Sequence, residues 1–397
     1  MWNLKGSDKK GYVTLIVTLA SMTMFTAMCT DLYLPGFPLV AQSLHVQMVD
    51  LQLTFTSFTF GVGFGQLIYG PLSDRFGRKN PATFGLVLFI AASVLSGTAH
   101  TLGLLIFYRF LQALGGAAGM VISRAIVRDR LSGVEMAKMM SLMGMIFVFS
   151  PAAAPSIGAL ILRWAHWPWL FYALAIFGLL VLIGVLNLEE SLPPEKRNDH
   201  GIQQSFQNYI EISKSAEFRS AAIIAIGGSF VTFGYVSSSA AVIMGSYGAS
   251  RAKYGVLFAV IAIGLVASNR FNIQFLSRFG VIGILKKFTL VQTIGAILVC
   301  AASIAHAPLW ALLTPIVVCF GCAPGMGGNA MTLGMHPFPE KAGSAAAMLG
   351  LMQMVGAGLI SAILAAIHQD VVAKMGVAVL VGALISFVQA RRIKVEL

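Results

Sequence analysis

The chain has 397 residues, of which 57% are hydrophobic and only 11% charged. A soluble globular domain carries roughly a quarter charged residues, so that class is excluded, and the unbroken apolar runs exclude a membrane β-barrel, whose strands alternate. The net charge of +12 would suit a nucleic-acid binder, but the basic residues sit in short loops between apolar runs, where they act as orientation signals; no nucleic-acid partner is expected.

The apolar runs predict twelve spanning helices, at about 12–34, 49–69, 81–99, 102–123, 137–162, 168–187, 220–243, 254–269, 284–304, 307–329, 342–366 and 371–390. With alternating direction, 22 of the 27 Lys and Arg residues fall on one side and four on the other, leaving Arg109 inside a span. Positive charge accumulates on the cytoplasmic side, so both termini are expected there. A miscounted span would swap the sides of every later loop, so the asymmetry supports the helix number as well as the orientation. Trp164, Trp167 and Trp169 cluster on the opposite side, as an interfacial aromatic belt would. No cleavable signal peptide is expected from the first apolar run.

In chain order, the first span ends in Asp31-Leu32-Tyr33-Leu34-Pro35. Asp31 and Arg109 are the acid and the base predicted to lie within spans rather than at their cytoplasmic edges, and a charge inside the membrane is a functional candidate by default. At 1.5 Å per residue, Asp31 lies roughly 5 Å below the outer helix end and Arg109 roughly 10 Å, so the two are expected to share a cavity in the outer half. A carboxylate there takes up and releases a proton as its access to water changes sides, with Arg109 tuning it.

The second span leads into Gly70-Pro71-Leu72-Ser73-Asp74-Arg75-Phe76-Gly77-Arg78-Lys79. Gly70 and Pro71 are expected to make a tight turn, and Gly77 to adopt a backbone conformation closed to other residues. Asp74 is expected to cap a helix N-terminus or to pair with Arg75 or Arg78, in contacts that form in one conformer and break in the other. Span five carries Ser150-Pro151-Ala152-Ala153-Ala154-Pro155-Ser156-Ile157-Gly158, where two prolines interrupt the hydrogen-bond ladder and small residues allow close packing.

Residues 188–219 form the longest polar stretch, read as a cytoplasmic linker with a short amphipathic helix near Phe206–Ile212. It separates an N-terminal six-helix bundle, 1–187, from a C-terminal one, 220–397. Leu276-Ser277-Arg278-Phe279-Gly280 after the eighth span echoes Leu72 to Gly77 after the second, as parallel repeats would. Cys29, Cys300, Cys319 and Cys322 lie in apolar runs and read as packing residues; Cys319 and Cys322 lack the second pair a metal site needs. No HExxH or GxSxG occurs, and no enzyme is expected.

The segment from Gly70 to Lys79 resembles the cytoplasmic loop motif of the major facilitator superfamily. With Asp31 to Pro35, Gln66 to Gly70, Arg109 to Gly115, Arg124 to Asp129, Pro337 to Pro339 and Ala342 to Ala345, the chain resembles the Bcr/CflA branch of drug:proton antiporters. The resemblance implies an all-α membrane protein with twelve transmembrane helices in two pseudo-symmetric bundles. It implies alternating access between them and export of small amphipathic drugs or metabolites in exchange for protons, with the proton gradient as energy source and no cofactor. The alternative is a dedicated exporter of one natural product, such as a siderophore or amino-acid derivative. The implied location is the bacterial inner membrane, as a monomer in the lipid bilayer. The resemblance assigns proton coupling to Arg109, which Asp31 joins as the carboxylate expected within a span, and a conformational gate to Gly70, Leu72, Asp74, Arg75, Gly77, Arg78 and Lys79. It assigns an antiporter kink to Pro151, Pro155 and Gly158. Candidate substrate contacts are Tyr33, Phe58, Gln112, Met145, Phe147, Tyr235 and Gln353, where aromatic and Met surfaces can repack around varied ligands.

Overall fold

The computed structural model describes residues 8–197 and 201–393, apart from the side chains at 8–13, 137, 147–149, 151–152, 196, 201–206, 262–263, 266–267, 269 and 273. Among the described residues the regular structure is helical, with no strand. Helix α1 (Asp8–Asp31) ends in a 3-10 turn (Leu34–Gly36) that leads into the short α2 (Phe37–Leu44). Then come α3 (Gln52–Phe76), α4 (Lys79–Gly97), α5 (Leu102–Arg130), α6 (Gly133–Trp164) and α7 (Pro168–Leu186). The polar stretch holds α8 (Gly201–Ser213). The rest of the chain forms α9 (Ala216–Ala240), α10 (Arg251–Ile304), α11 (Leu309–Gly321), α12 (Ala323–Met335), α13 (Ala342–Ala366) and α14 (Val371–Arg392).

These helices make twelve spans. At 54 residues, α10 would be about 80 Å long, far more than a bilayer core of roughly 30 Å. It turns back at Gly280, whose φ of 65° is not helical, and so supplies two spans. Conversely α11 and α12 are each 13 residues, too short to cross alone, and follow one another as a single span. Nine stretches of the described residues are long and apolar enough to cross a membrane; α3, α6 and the first arm of α10 complete the set. One end of the bundle carries Arg75, Arg78, Arg128 and Arg130 and is called the basic end below; the other is the far end.

Helices in lipid gain little from burying apolar side chains against each other, so they rely on close backbone approach. A methyl group at Gly85 of α4 would lie 2.3 Å from the Ala118 Cβ of α5, and one at Gly65 of α3 would lie 2.4 Å from the Ala117 Cβ. The same α5 therefore holds α3 and α4 by its small-residue faces. At the far end Trp164 and Trp169 are exposed, as a belt requires, but Trp167 is buried and stands edge-on to Phe171. Within the polar stretch, α8 turns Tyr209 and Ile212 inward, and the Tyr209 hydroxyl donates to the Leu67 carbonyl of α3 at 3.3 Å.

Candidate functional site: the buried charges and the loop between α3 and α4

The loop after α3 differs from the sequence expectation in where it turns. Helix α3 continues through Gly70 and Pro71 to Phe76. Proline removes one ladder bond but does not reverse the chain, whereas reversal needs a positive φ, which Gly77 supplies at 85°. Beyond it Arg78 is buried and collects four acceptors. Its Nη1 donates to Asp74 Oδ1 at 2.5 Å and to Ser73 Oγ at 2.9 Å, and its Nε to Asp129 Oδ2 at 2.8 Å. Its backbone N–H donates to Glu190 Oε1 at 2.8 Å. Asp74 therefore pairs with Arg78, and the helix N-terminus goes to Glu190, whose Oε2 also accepts from the Lys79 N–H at 3.0 Å. Lys79 Nζ reaches the last turn of α7 at the Leu186 carbonyl, 2.6 Å away. Arg75 lies over the Phe76 ring, and the space where a side chain would stand on Gly70 is open, with nothing within 4 Å; Leu72 lies within α3.

Sequence reasoning missed Glu190. Burial pushes its carboxyl up, but backbone N–H bonds from Leu192, Arg78, Lys79 and Ser191 outweigh that and hold it below the usual carboxylate range. A folded-state value below the unfolded one gives stabilisation that is complete above the unfolded value and lost as pH falls through the folded one. Glu190→Gln is expected to lower stability by about 1 kcal/mol at neutral pH, as loss of a helix cap does. The deficit should shrink as the wild type is acidified, which thermal unfolding of the detergent-solubilised protein across pH 3 to 7 would show.

At the opposite end of the same bundle, Asp31 closes α1 and is 5% exposed. It lies beside Leu32, whose carbonyl meets Gly158 of α6, and two residues earlier on α6 Ser156 meets Gly255 at the start of α10 in the other bundle. The Tyr254 hydroxyl is 2.8 Å from Ser239 Oγ on α9. Arg109 is fully buried on α5. Its Nη2 donates to the Cys29 carbonyl at 2.9 Å and its Nη1 to Gln112 Oε1 at 2.5 Å, and Gln112 in turn donates to Ser93 of α4 at 2.8 Å. The guanidinium faces the rings of Phe58 at 4.3 Å, Tyr33 at 5.3 Å and Phe171 at 5.8 Å. No direct Asp31–Arg109 ion pair forms among the described residues. The two are linked instead through the backbone of α1, since the carbonyl that Arg109 holds lies two residues before the acid.

This geometry redistributes the candidate substrate contacts. Tyr33, Phe58 and Gln112 build the cage around Arg109 and are buried. Tyr235 is buried too, against Phe258 at 6.1 Å and Phe320 at 5.7 Å. Met145 is exposed on α6, and Gln353 is exposed on a recess between α9, α12 and α13 that includes Thr232, Met326 and Leu349. The side chains of Phe147 and Pro151 lie outside the described residues. At the far end the bundles meet directly: Gln52 donates to Ser238 at 3.2 Å, and His368 Nε2 lies 3.0 Å from Asp50 Oδ1.

Helix α6 runs unbroken through Pro155, which is buried. Gly158 matters by contact: a methyl group there would lie 2.2 Å from the Leu32 carbonyl oxygen, beside Asp31. That atom belongs to backbone and cannot swing aside. Gly158→Ala is expected to force α1 and α6 apart, lowering stability by about 1–3 kcal/mol, the usual range for overpacking, and reducing transport. Thermal unfolding and uptake into proteoliposomes would measure both.

The comparisons agree with this architecture. The sequence matches the family model of the Major Facilitator Superfamily over residues 19–361. It is 27% identical to a bicyclomycin resistance protein homolog of Haemophilus influenzae, across 93% of each chain. It is 32% identical to an uncharacterized MFS-type transporter, YdgK, of Bacillus subtilis, across 95% of this chain and 94% of that one. It is 31% identical to the multidrug resistance protein MdtL of Vibrio parahaemolyticus, across 82% and 81%. Among solved structures, a D-xylose-proton symporter superposes with a TM-score of 0.75 at 17% identity, covering 94% of this chain and 96% of that one. The chain therefore belongs to the Major Facilitator Superfamily and is a membrane transporter rather than an enzyme.

Proposed function

We propose that this transporter exports small amphipathic compounds across a bacterial inner membrane in exchange for protons, with both termini cytoplasmic. The observation that carries the reading is Asp31, a buried acid at the end of α1 beside the stretch of α6 that packs on α10 of the other bundle. A group at that seam changes its contact with water when the bundles rock, and can therefore load a proton from one side and release it to the other. Relatives named for bicyclomycin and multidrug resistance support drug-like cargo over a dedicated exporter of one siderophore or amino-acid derivative. The split of basic loops supports the orientation. Arg109 acts on Asp31 through the end of α1, and the Arg78 cluster with Glu190 ties the basic end of the first bundle together in this conformer.

The test is substrate-driven proton movement in proteoliposomes that hold a pH-sensitive dye, over a panel of amphipathic compounds. Compounds that are exported should drive protons the opposite way. Folded protein that moves no proton with any compound would overturn the proposal.

A further inference from the structure

We infer that the gap between the bundles at the basic end receives an acidic group of the cargo on Arg124, so that amphipathic carboxylates, sulfonates and zwitterions are preferred over neutral or cationic analogues. The inference rests on the transport reading above and names its substrate class. Helix α5 uses its small-residue faces against α1, α3 and α4, where Gly119, Ala117 and Ala118 make the close approaches. Its remaining face carries Met120, Arg124 and Arg128 at helical spacing. Arg124 is exposed and sits six residues, about 9 Å, before the end of its helix. One turn further on, Arg128 Nη1 lies 3.7 Å from where a Cβ would stand on Gly343, at the start of α13 in the other bundle. This face of α5 is therefore turned to the gap between the bundles and away from lipid.

Neither arginine has a carboxylate partner among the described residues. That distinguishes them from Arg78, which holds two carboxylates. Arg124 and Arg128 instead stand one turn apart on the same helix, two like charges at a spacing that is mutually unfavourable. An anion entering the gap relieves this repulsion and supplies the missing acceptor. The spans from α9 to α13 of the second bundle offer no competing acid: the sequence has no Asp or Glu between Glu217 and Glu340, nor within α13. Asp31 is shut away at the far end, and Asp74 and Asp129 are taken by Arg78. The recess that holds Met326, Gly327, Met331 and Gln353 is neutral and mostly apolar, which suits the body of an amphipathic anion, and one turn from Gln353 on α13 Gly350 meets Gln66, which reaches Met120 on the Arg124 face of α5.

Two measurements on the full chain in phosphatidylcholine proteoliposomes test this. In the first, Gln353→Cys is labelled with an anionic reagent, ethylsulfonate methanethiosulfonate, and a cationic one, trimethylammonium-ethyl methanethiosulfonate. The four native cysteines are buried. Relative to a free thiol, the anionic reagent should be favoured by about tenfold, and adding Arg124→Gln should remove that preference. A thiol that reacts with neither reagent would show that no water-filled gap separates the bundles and overturn the transport reading, whereas equal reaction with both would overturn only the preference for anions. In the second, 1-naphthaleneacetate should bind at least about tenfold tighter than 1-naphthaleneacetamide, and Arg124→Gln should bring the two level while Arg124→Lys keeps part of the difference. The thermal unfolding midpoint reports whether each variant is folded. An absent preference in the wild type, whether both probes bind or neither does, would overturn the inference. So would a preference that survives Arg124→Gln, or one that added phosphatidylglycerol abolishes, since the anion held would then be a lipid headgroup.

Discussion

Asp31→Asn is expected to reduce substrate-driven proton movement to the level of empty liposomes while leaving a folded protein that still exchanges cargo for cargo. The amide has the shape of the carboxyl, so packing at the end of α1 should hold. What it loses is the ability to bind a proton. Among the described residues Asp31, at 5% exposure, is the one buried acid, so no other buried carboxylate can take its place. Counterflow of labelled cargo would report the retained exchange and the pH dye the lost coupling. Unchanged proton movement would remove Asp31 from the mechanism.

The second large effect concerns Arg109, and its sign differs between stability and transport. A buried guanidinium without a carboxylate partner is an expensive way to fill a cage, because desolvation exceeds what two neutral acceptors and three rings return. Arg109→Met places a polarizable apolar chain of similar length among Phe58, Tyr33 and Phe171, a setting thioethers favour. It leaves the Cys29 carbonyl and Gln112 Oε1 without donors, at roughly 1–3 kcal/mol each. The terms oppose, so stability should stay within about 2 kcal/mol of wild type or rise. Transport should nonetheless fall to background, because the positive charge that organises the end of α1 is gone. Arg109→Lys should also fail, since one ammonium on a flexible stem cannot replace the planar fork that spans both acceptors. A Met variant that transports normally would make Arg109 structural only.

The twelve spans were legible because each is an apolar run close to the length a bilayer requires. The echo of Leu72 to Gly77 in Leu276 to Gly280 was legible because turn chemistry is local. Two things were not. Glu190 meets Arg78 from 112 residues away, and a carboxylate in a polar connection carries no local sign of the helix end it will cap. The cage around Arg109 takes Tyr33 from the end of α1, Phe58 from α3 and Phe171 from α7; aromatic residues on spanning helices read the same whether they line a cavity or enclose a charge. Likewise Gly70-Pro71 looked like a turn by composition, yet a proline with an intact helix on both sides only removes a ladder bond, and the chain waits for Gly77 to reverse.

The joints at Gly77 and Gly280, with φ of 85° and 65°, share one backbone device, each directly after a phenylalanine. Around the first, three anions converge: Asp74, Asp129 and Glu190. Around the second, Arg278 and Lys287 rest on the ring of Phe279, and among the described residues neither makes an ion pair. A duplicated elbow has thus been splinted in one copy and left unsplinted in the other. Stiffness is unevenly shared, and the second elbow is the softer place for the molecule to bend as it works.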